Sequence, residues 1–97
     1  MTVKILAIMR PRDGVDVRNA LSRHGREELH ALWQLYCDGF VREMYSPEGP
    51  GAVLILESES SQTAAGRLAT LPLIASDSMT LDLIALQPFK AIEMLFS

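Results

Sequence analysis

The sequence predicts an α+β domain whose elements run β-α-β-β-α-β. Three observations carry the prediction: short runs of branched apolar residues closed by Pro/Gly punctuation, two intervening stretches with apolar residues at helical spacing, and strands that are apolar on both faces. The 97 residues, 48% of them hydrophobic, suffice for one domain with its own core and are too few for two, so 1–97 reads as a single domain.

"TVKILAIM" is the first apolar run, stopped by "RPRDG", and reads as a strand followed by a loop. Asp16 is placed to cap a short helical stretch, "VRNALSRH", which Gly25 is expected to weaken or break before a longer helix, "REELHALWQLYCDG". There Leu29, Leu32, Trp33 and Tyr36 recur at helical spacing, and Gly39 stands where a left-handed terminator belongs. "FVREMYS" and "AVLILES" flank the Pro/Gly loop "PEGPG" and predict a hairpin. "SSQTAAGRLATLP" begins with serines able to cap, spaces Ala64, Leu68 and Leu71 helically, and stops at Pro72. "MTLDLIAL" supplies a fourth strand, and "PFKAIEMLF" a last helical turn or two starting at Pro88.

This order is the split βαβ, or ferredoxin-like, pattern: a four-stranded antiparallel sheet with both helices on one face. The uncovered face of such a sheet normally turns polar. Here Val3, Ile5, Ala7 and Met9 oppose Leu6 and Ile8, Ala52, Leu54 and Leu56 oppose Val53 and Ile55, and Leu81, Leu83 and Ala85 oppose Ile84 and Leu86. Two helices cannot cover both faces. Burying the second, at about 25 cal/mol per Å² of apolar surface, predicts sheet-on-sheet pairing of two copies into a dimeric α+β barrel. Residues 88–97, with Phe89, Ile92, Leu95 and Phe96, then read as an apolar C-terminal arm that finishes the seam.

A formal charge of −3 supplies no basic field for nucleic acid or anionic lipid, and no stretch approaches the roughly 18 apolar residues that span a bilayer. Neither nucleic acid nor membrane is expected as a partner. The N-terminal apolar run, Ile5 to Met9, lacks the length and cleavage site of a signal peptide, which with the lone Cys37 points to the cytoplasm. RNA-recognition modules share the element order but stack bases on aromatics in the first and third strands, which have none here.

The second strand is the least apolar. Simple alternation puts Phe40, Arg42 and Met44 on one face and Val41, Glu43 and Tyr45 on the other. Arg42 suits a carboxylate and Glu43 or Tyr45 suits proton transfer, while charge that protects an edge strand is the competing reading. Arg10 and Arg12, at the end of the first strand, could form the mouth of a site for anions. Neither His24 nor His30 has a second His or Cys at i+3 or i+4, so no metal site is expected; His30 is a candidate for proton transfer. Cys37 reads as a packed thiol, and no cofactor loop is present.

The stretches "LWQLYCDGFVREMY", "PGAVLILES", "LATLPLI" and "LIALQPF", with the closing "LF", resemble the muconolactone isomerase-like group of small dimeric α+β barrel proteins. The resemblance covers roughly Leu32 to Phe96 and matches Trp33, Tyr36, Gly39, Arg42, Glu43 and Tyr45; "RPRDGVDVRNALSRHGRE" departs from the pattern. It implies a cofactorless isomerase that moves a proton on a small unsaturated lactone or related acid. Cofactor-independent monooxygenases of the same superfamily, and a non-catalytic dimeric module binding a small apolar or anionic ligand, are the alternatives. The isomerase reading takes Glu43 and His30 as proton-transfer residues and Arg42, Trp33, Tyr36, Met44, Tyr45 and Arg10 as the substrate-binding set.

Overall fold

The computed structural model describes residues 1–97. Four strands, β1 (Val3–Pro11), β2 (Val41–Tyr45), β3 (Ala52–Ser58) and β4 (Met79–Leu86), form one antiparallel sheet in the order β2-β3-β1-β4. Helices α1 (Val17–Cys37), α2 (Ser61–Leu68) and the single turn α3 (Pro72–Ala75) cover one face. This is the α+β, ferredoxin-like arrangement expected, with α3 as an additional turn that Pro72 starts rather than stops.

The core lies between that face and the helices. Ile5, Ala7 and Met9 of β1 and Leu54 and Leu56 of β3 are buried, and Ala64, Leu68, Leu71 and Leu73 close over them. α1 runs unbroken through Gly25, contrary to the break the sequence suggests. A helical glycine costs about 1 kcal/mol against alanine, and burial of Ala20 before it and Glu28 and Leu32 after it holds the helix together across the weak point. Its start matches expectation: the Asp16 carboxylate accepts the Asn19 N–H at 3.1 Å. It ends before Gly39, whose φ of +88° carries the chain into β2. Cys37, on the last turn, is exposed rather than packed, because the buried stripe leaves the helix at Leu35.

β2 departs from simple alternation. Val41 pairs with Leu56 but Glu43 pairs with Ile55, so a β-bulge leaves Arg42 without a cross-strand partner. The extra residue reverses the pattern: Val41 and Met44 lie across from Leu56 and Leu54 of the helix-covered face, and Glu43 and Tyr45 across from Ile55 and Val53 of the open one. The expected trio Phe40, Arg42 and Met44 does not share a face.

On the open face Leu6 stands between Ile55 and Ile84, and Ile8 between Val53 and Asp82. Ile84 and Leu86 of the same face are exposed. Beyond β4 the arm forms a 3-10 helix, Lys90–Phe96, with no buried residue; Phe96 is 83% exposed. The arm lengthens the molecule to 55 × 27 × 20 Å and gives a radius of gyration of 15.2 Å, against about 13 Å for a compact chain of this size. No helix is long and apolar enough to cross a membrane.

Candidate functional site

Between α1 and the sheet lies a cavity of about 400 Å³. One wall is α1, from Leu21 through Gly25, Glu28 and Leu29 to Leu32; the floor is Met9, Ala52 and Leu54; the far wall is Met44, Tyr45, Ser46 and the hairpin loop Gly49–Gly51. Leu73 and Met79 close one end. The loop is held against β1 by Gly51, whose φ of +130° suits glycine and whose absent Cβ would fall 2.3 Å from the Met9 carbonyl oxygen.

Glu28 is the only charged residue on this wall. It is 4% exposed, among the core side chains. Its Oε1 accepts the Leu73 N–H at 2.9 Å, thereby capping α3, whose own N-cap residue Leu71 supplies no side chain for the purpose. Its Oε2 is buried without a hydrogen-bond partner. Desolvation raises the carboxyl above its ordinary value, offset in part by the Leu73 N–H and by the charge of His24. One oxygen thus fixes the group while the other has no partner in the chain. Sequence reasoning passes over Glu28, although a signal exists: it stands four residues before Leu32 and three before Ala31, inside the stripe that α1 buries.

The residues the sequence points to gather elsewhere. Trp33, Tyr36, Arg42, Glu43, Met44 and Tyr45 line a shallow groove of about 500 Å³ outside β2. Trp33 and Tyr36 stack there at 5.5 Å, with Trp33 58% exposed. The Tyr45 hydroxyl donates to Oε1 of the Glu43 carboxylate, and that bond, with the carboxylate's charge, pushes the Tyr45 phenol up. Met44 and Tyr45 belong to both concavities; Trp33, Tyr36, Arg42 and Glu43 do not reach the cavity. His30 is exposed on α1 and lines neither, and Arg10 is exposed near the end of β1, where its carbonyl accepts the Thr80 hydroxyl at 3.3 Å. Arg12 clips a turn, donating to the Asp77 carboxylate at 2.9 Å and to the Asp77 carbonyl at 3.1 Å.

At the foot of α1, Asp38 accepts the Phe40 N–H at 3.0 Å and Arg67 at 2.6 Å, which hold its carboxyl below the usual range. Arg67 also lies 4.3 Å over the Phe40 ring. This cluster ties the end of α1 to α2 and to the start of β2.

No protein-family model and no curated protein matches the sequence. Solved structures do. One similar structure is 5-chloro-2-hydroxyhydroquinone dehydrochlorinase (TftG) from Burkholderia phenoliruptrix AC1100, in complex with 2,5-dihydroxybenzoquinone, at 15% identity and a TM-score of 0.67 over 91% of this chain and 97% of that one. Another is muconolactone isomerase, at 16% identity and a TM-score of 0.67 over 89% of this chain and 92% of that one. The likeness spans nearly the whole length of each chain, and the protein has the fold of the muconolactone isomerase-like proteins.

Proposed function

We propose that the protein is a cofactorless enzyme that shifts a proton on a small unsaturated lactone or related carbonyl compound, with Glu28 as the acid/base group. The observation that carries this is the Glu28 carboxyl: buried on the wall of an apolar cavity, one oxygen anchored by the Leu73 N–H and the other unpartnered. A carboxylate in such a site is a stronger base than one in water, and a raised pKa brings it nearer the pH at which it must both take and return a proton. In the reaction Glu28 removes the proton from a carbon made acidic by the neighbouring carbonyl. The C–H electron pair enters the conjugated system as a dienolate. The same carboxyl then delivers its proton one double bond away, so the C=C bond moves and no electrons are gained or lost overall. The two similar structures, an isomerase and a dehydrochlorinase, support chemistry on small rings in this fold. The test is a panel of unsaturated lactones and cyclic enones in deuterated water. Double-bond migration is expected, with substrate hydrogen rather than solvent deuterium predominating at the new position because one shielded carboxyl carries the proton across; no migration on any member would sink the reading.

The working unit is a pair of chains. The open sheet face has an apolar centre of Leu6, Ile8, Val53 and Ile55, and charges of both signs at Lys4, Glu57 and Asp82 around it, so one copy complements another turned about a two-fold axis. The arm, none of whose residues is buried by its own chain, is free to cross to the partner. Sedimentation equilibrium at micromolar concentration should give twice the 10.7 kDa chain mass, and a stable non-aggregating single chain would overturn the pairing.

A further inference from the structure

The sequence leaves two ligand chemistries open, apolar and anionic, and the cavity distinguishes them. Its wall carries no Lys, Arg or His side chain. The polar residues there are Glu28, Tyr45 and Ser46, and the Tyr45 hydroxyl is given to Glu43, with which it shares the open face of the sheet. The arginine that the sequence offers as an anion anchor, Arg42, sits at the bulge of β2 and lines the outer groove instead. A ligand carboxylate entering this space would lose its hydration with no cation to replace it, and would face the Glu28 carboxyl besides. An uncharged ring loses little and gains burial against Met9, Leu32, Met44 and Leu54.

We propose that this cavity selects uncharged small molecules, a single-ring lactone, enone or phenol, and rejects the same rings bearing a carboxylate. The selection follows from a wall with one buried, half-partnered carboxyl and no cation. It rests on the reading of the cavity as the substrate site and narrows that reading to a ligand class. Volume does not make the distinction, since about 400 Å³ holds a ring with or without a short arm. Charge does.

The experiment compares three ligands of one shape: an unsaturated γ-lactone carrying a carboxymethyl arm, its primary amide and its methyl ester, with the matching phenylacetic acid, amide and ester as a second ring. Affinities are read by calorimetry at pH 7.5 on the full chain. The amide and ester of at least one ring should bind, with the acid of that ring at least about tenfold weaker. Acid binding as tight as amide binding overturns the proposal, and so does failure of every neutral member to bind. Leu29→Arg adds the missing cation at the rim, at a position 69% exposed that tolerates the change. It should bring the acid at least about fivefold closer to the amide; an unchanged ratio also overturns the proposal. Binding is measured without turnover, so the two readings fail separately. Neutral ligands that bind but never isomerise leave the selectivity standing and remove the enzyme, whereas isomerisation of the acid removes the selectivity and leaves the enzyme.

Discussion

The cavity under α1 and the groove outside β2 share two wall residues, Met44 and Tyr45, yet treat a carboxyl group in opposite ways. In the groove Glu43 is exposed and its Oε1 takes the Tyr45 hydroxyl, so water and a local donor satisfy it. In the cavity Glu28 has exchanged water for a single N–H, and its second oxygen has nothing. The groove offers contact and charge in a high-dielectric setting, where a carboxylate has little reason to move a proton. The cavity offers a carboxyl whose two protonation states are closer in free energy. What separates them is a few ångströms of side chain and a sheet edge, not residue type.

That difference sets the largest expected effect. Glu28→Gln keeps the shape and an oxygen for the Leu73 N–H but cannot carry the proton, so turnover should fall by about 100-fold or more, the usual range for loss of a general base. Glu43→Gln should change turnover by no more than about threefold. Rates measured side by side on any substrate that migrates would decide it, and the reverse order would move the chemistry into the groove.

How far the sequence leads can be judged from the same residues. Asp16, Gly39 and the Pro/Gly loop act through their own neighbours, so the cap, the terminator and the hairpin are legible. The doubled apolar alternation of β1, β3 and β4 is legible for the same reason. Gly25 misleads because its local cost is outweighed by packing that only the folded chain supplies. Arg42 misleads because a bulge is a property of two strands: "VREMY" alternates on paper, and the register with β3 skips a residue. The consequence reaches the site, since Arg42 is the residue an alternating β2 would have aimed, beside Met44, at a ligand. Glu28 needed the opposite lesson, that a carboxylate inside a helix's apolar stripe is exceptional and must be accounted for.

The next effect tests whether the hairpin wall is what closes the cavity. Gly51→Ala would drive a Cβ to 2.3 Å from the Met9 carbonyl at a φ of +130°, so β1 or the loop must give way. A cost of at least about 2 kcal/mol is expected, or a fall in Tm of roughly 10 °C for a domain of this size. Gly49→Ala is the matched control: φ is +91° but a Cβ there meets nothing within 4 Å, so only the backbone preference is lost, about 1 kcal/mol. Equal losses at the two positions would mean that the loop does not press on β1.

The smallest effect is one of sign, and it sharpens the comparison of the two carboxyls without any substrate. Burial raises the Glu28 pKa above its ordinary 4.5, so the folded chain holds this proton more tightly than the unfolded chain does. Below the ordinary value the group is neutral in both states and costs nothing electrostatically. As pH rises from there through the raised value, the unfolded chain ionises freely while the folded one must ionise in the core, and stability is lost across that window. Glu28→Gln removes the proton from the balance. Its Tm should therefore gain on that of the parent chain as pH climbs out of the acid range, and the gain should level off once Glu28 is ionised in both states. Glu43→Gln, at an exposed position, should show no such rising difference. A Glu28→Gln difference that stays flat with pH would place the Glu28 carboxyl in contact with water and withdraw the physical basis of its role as base.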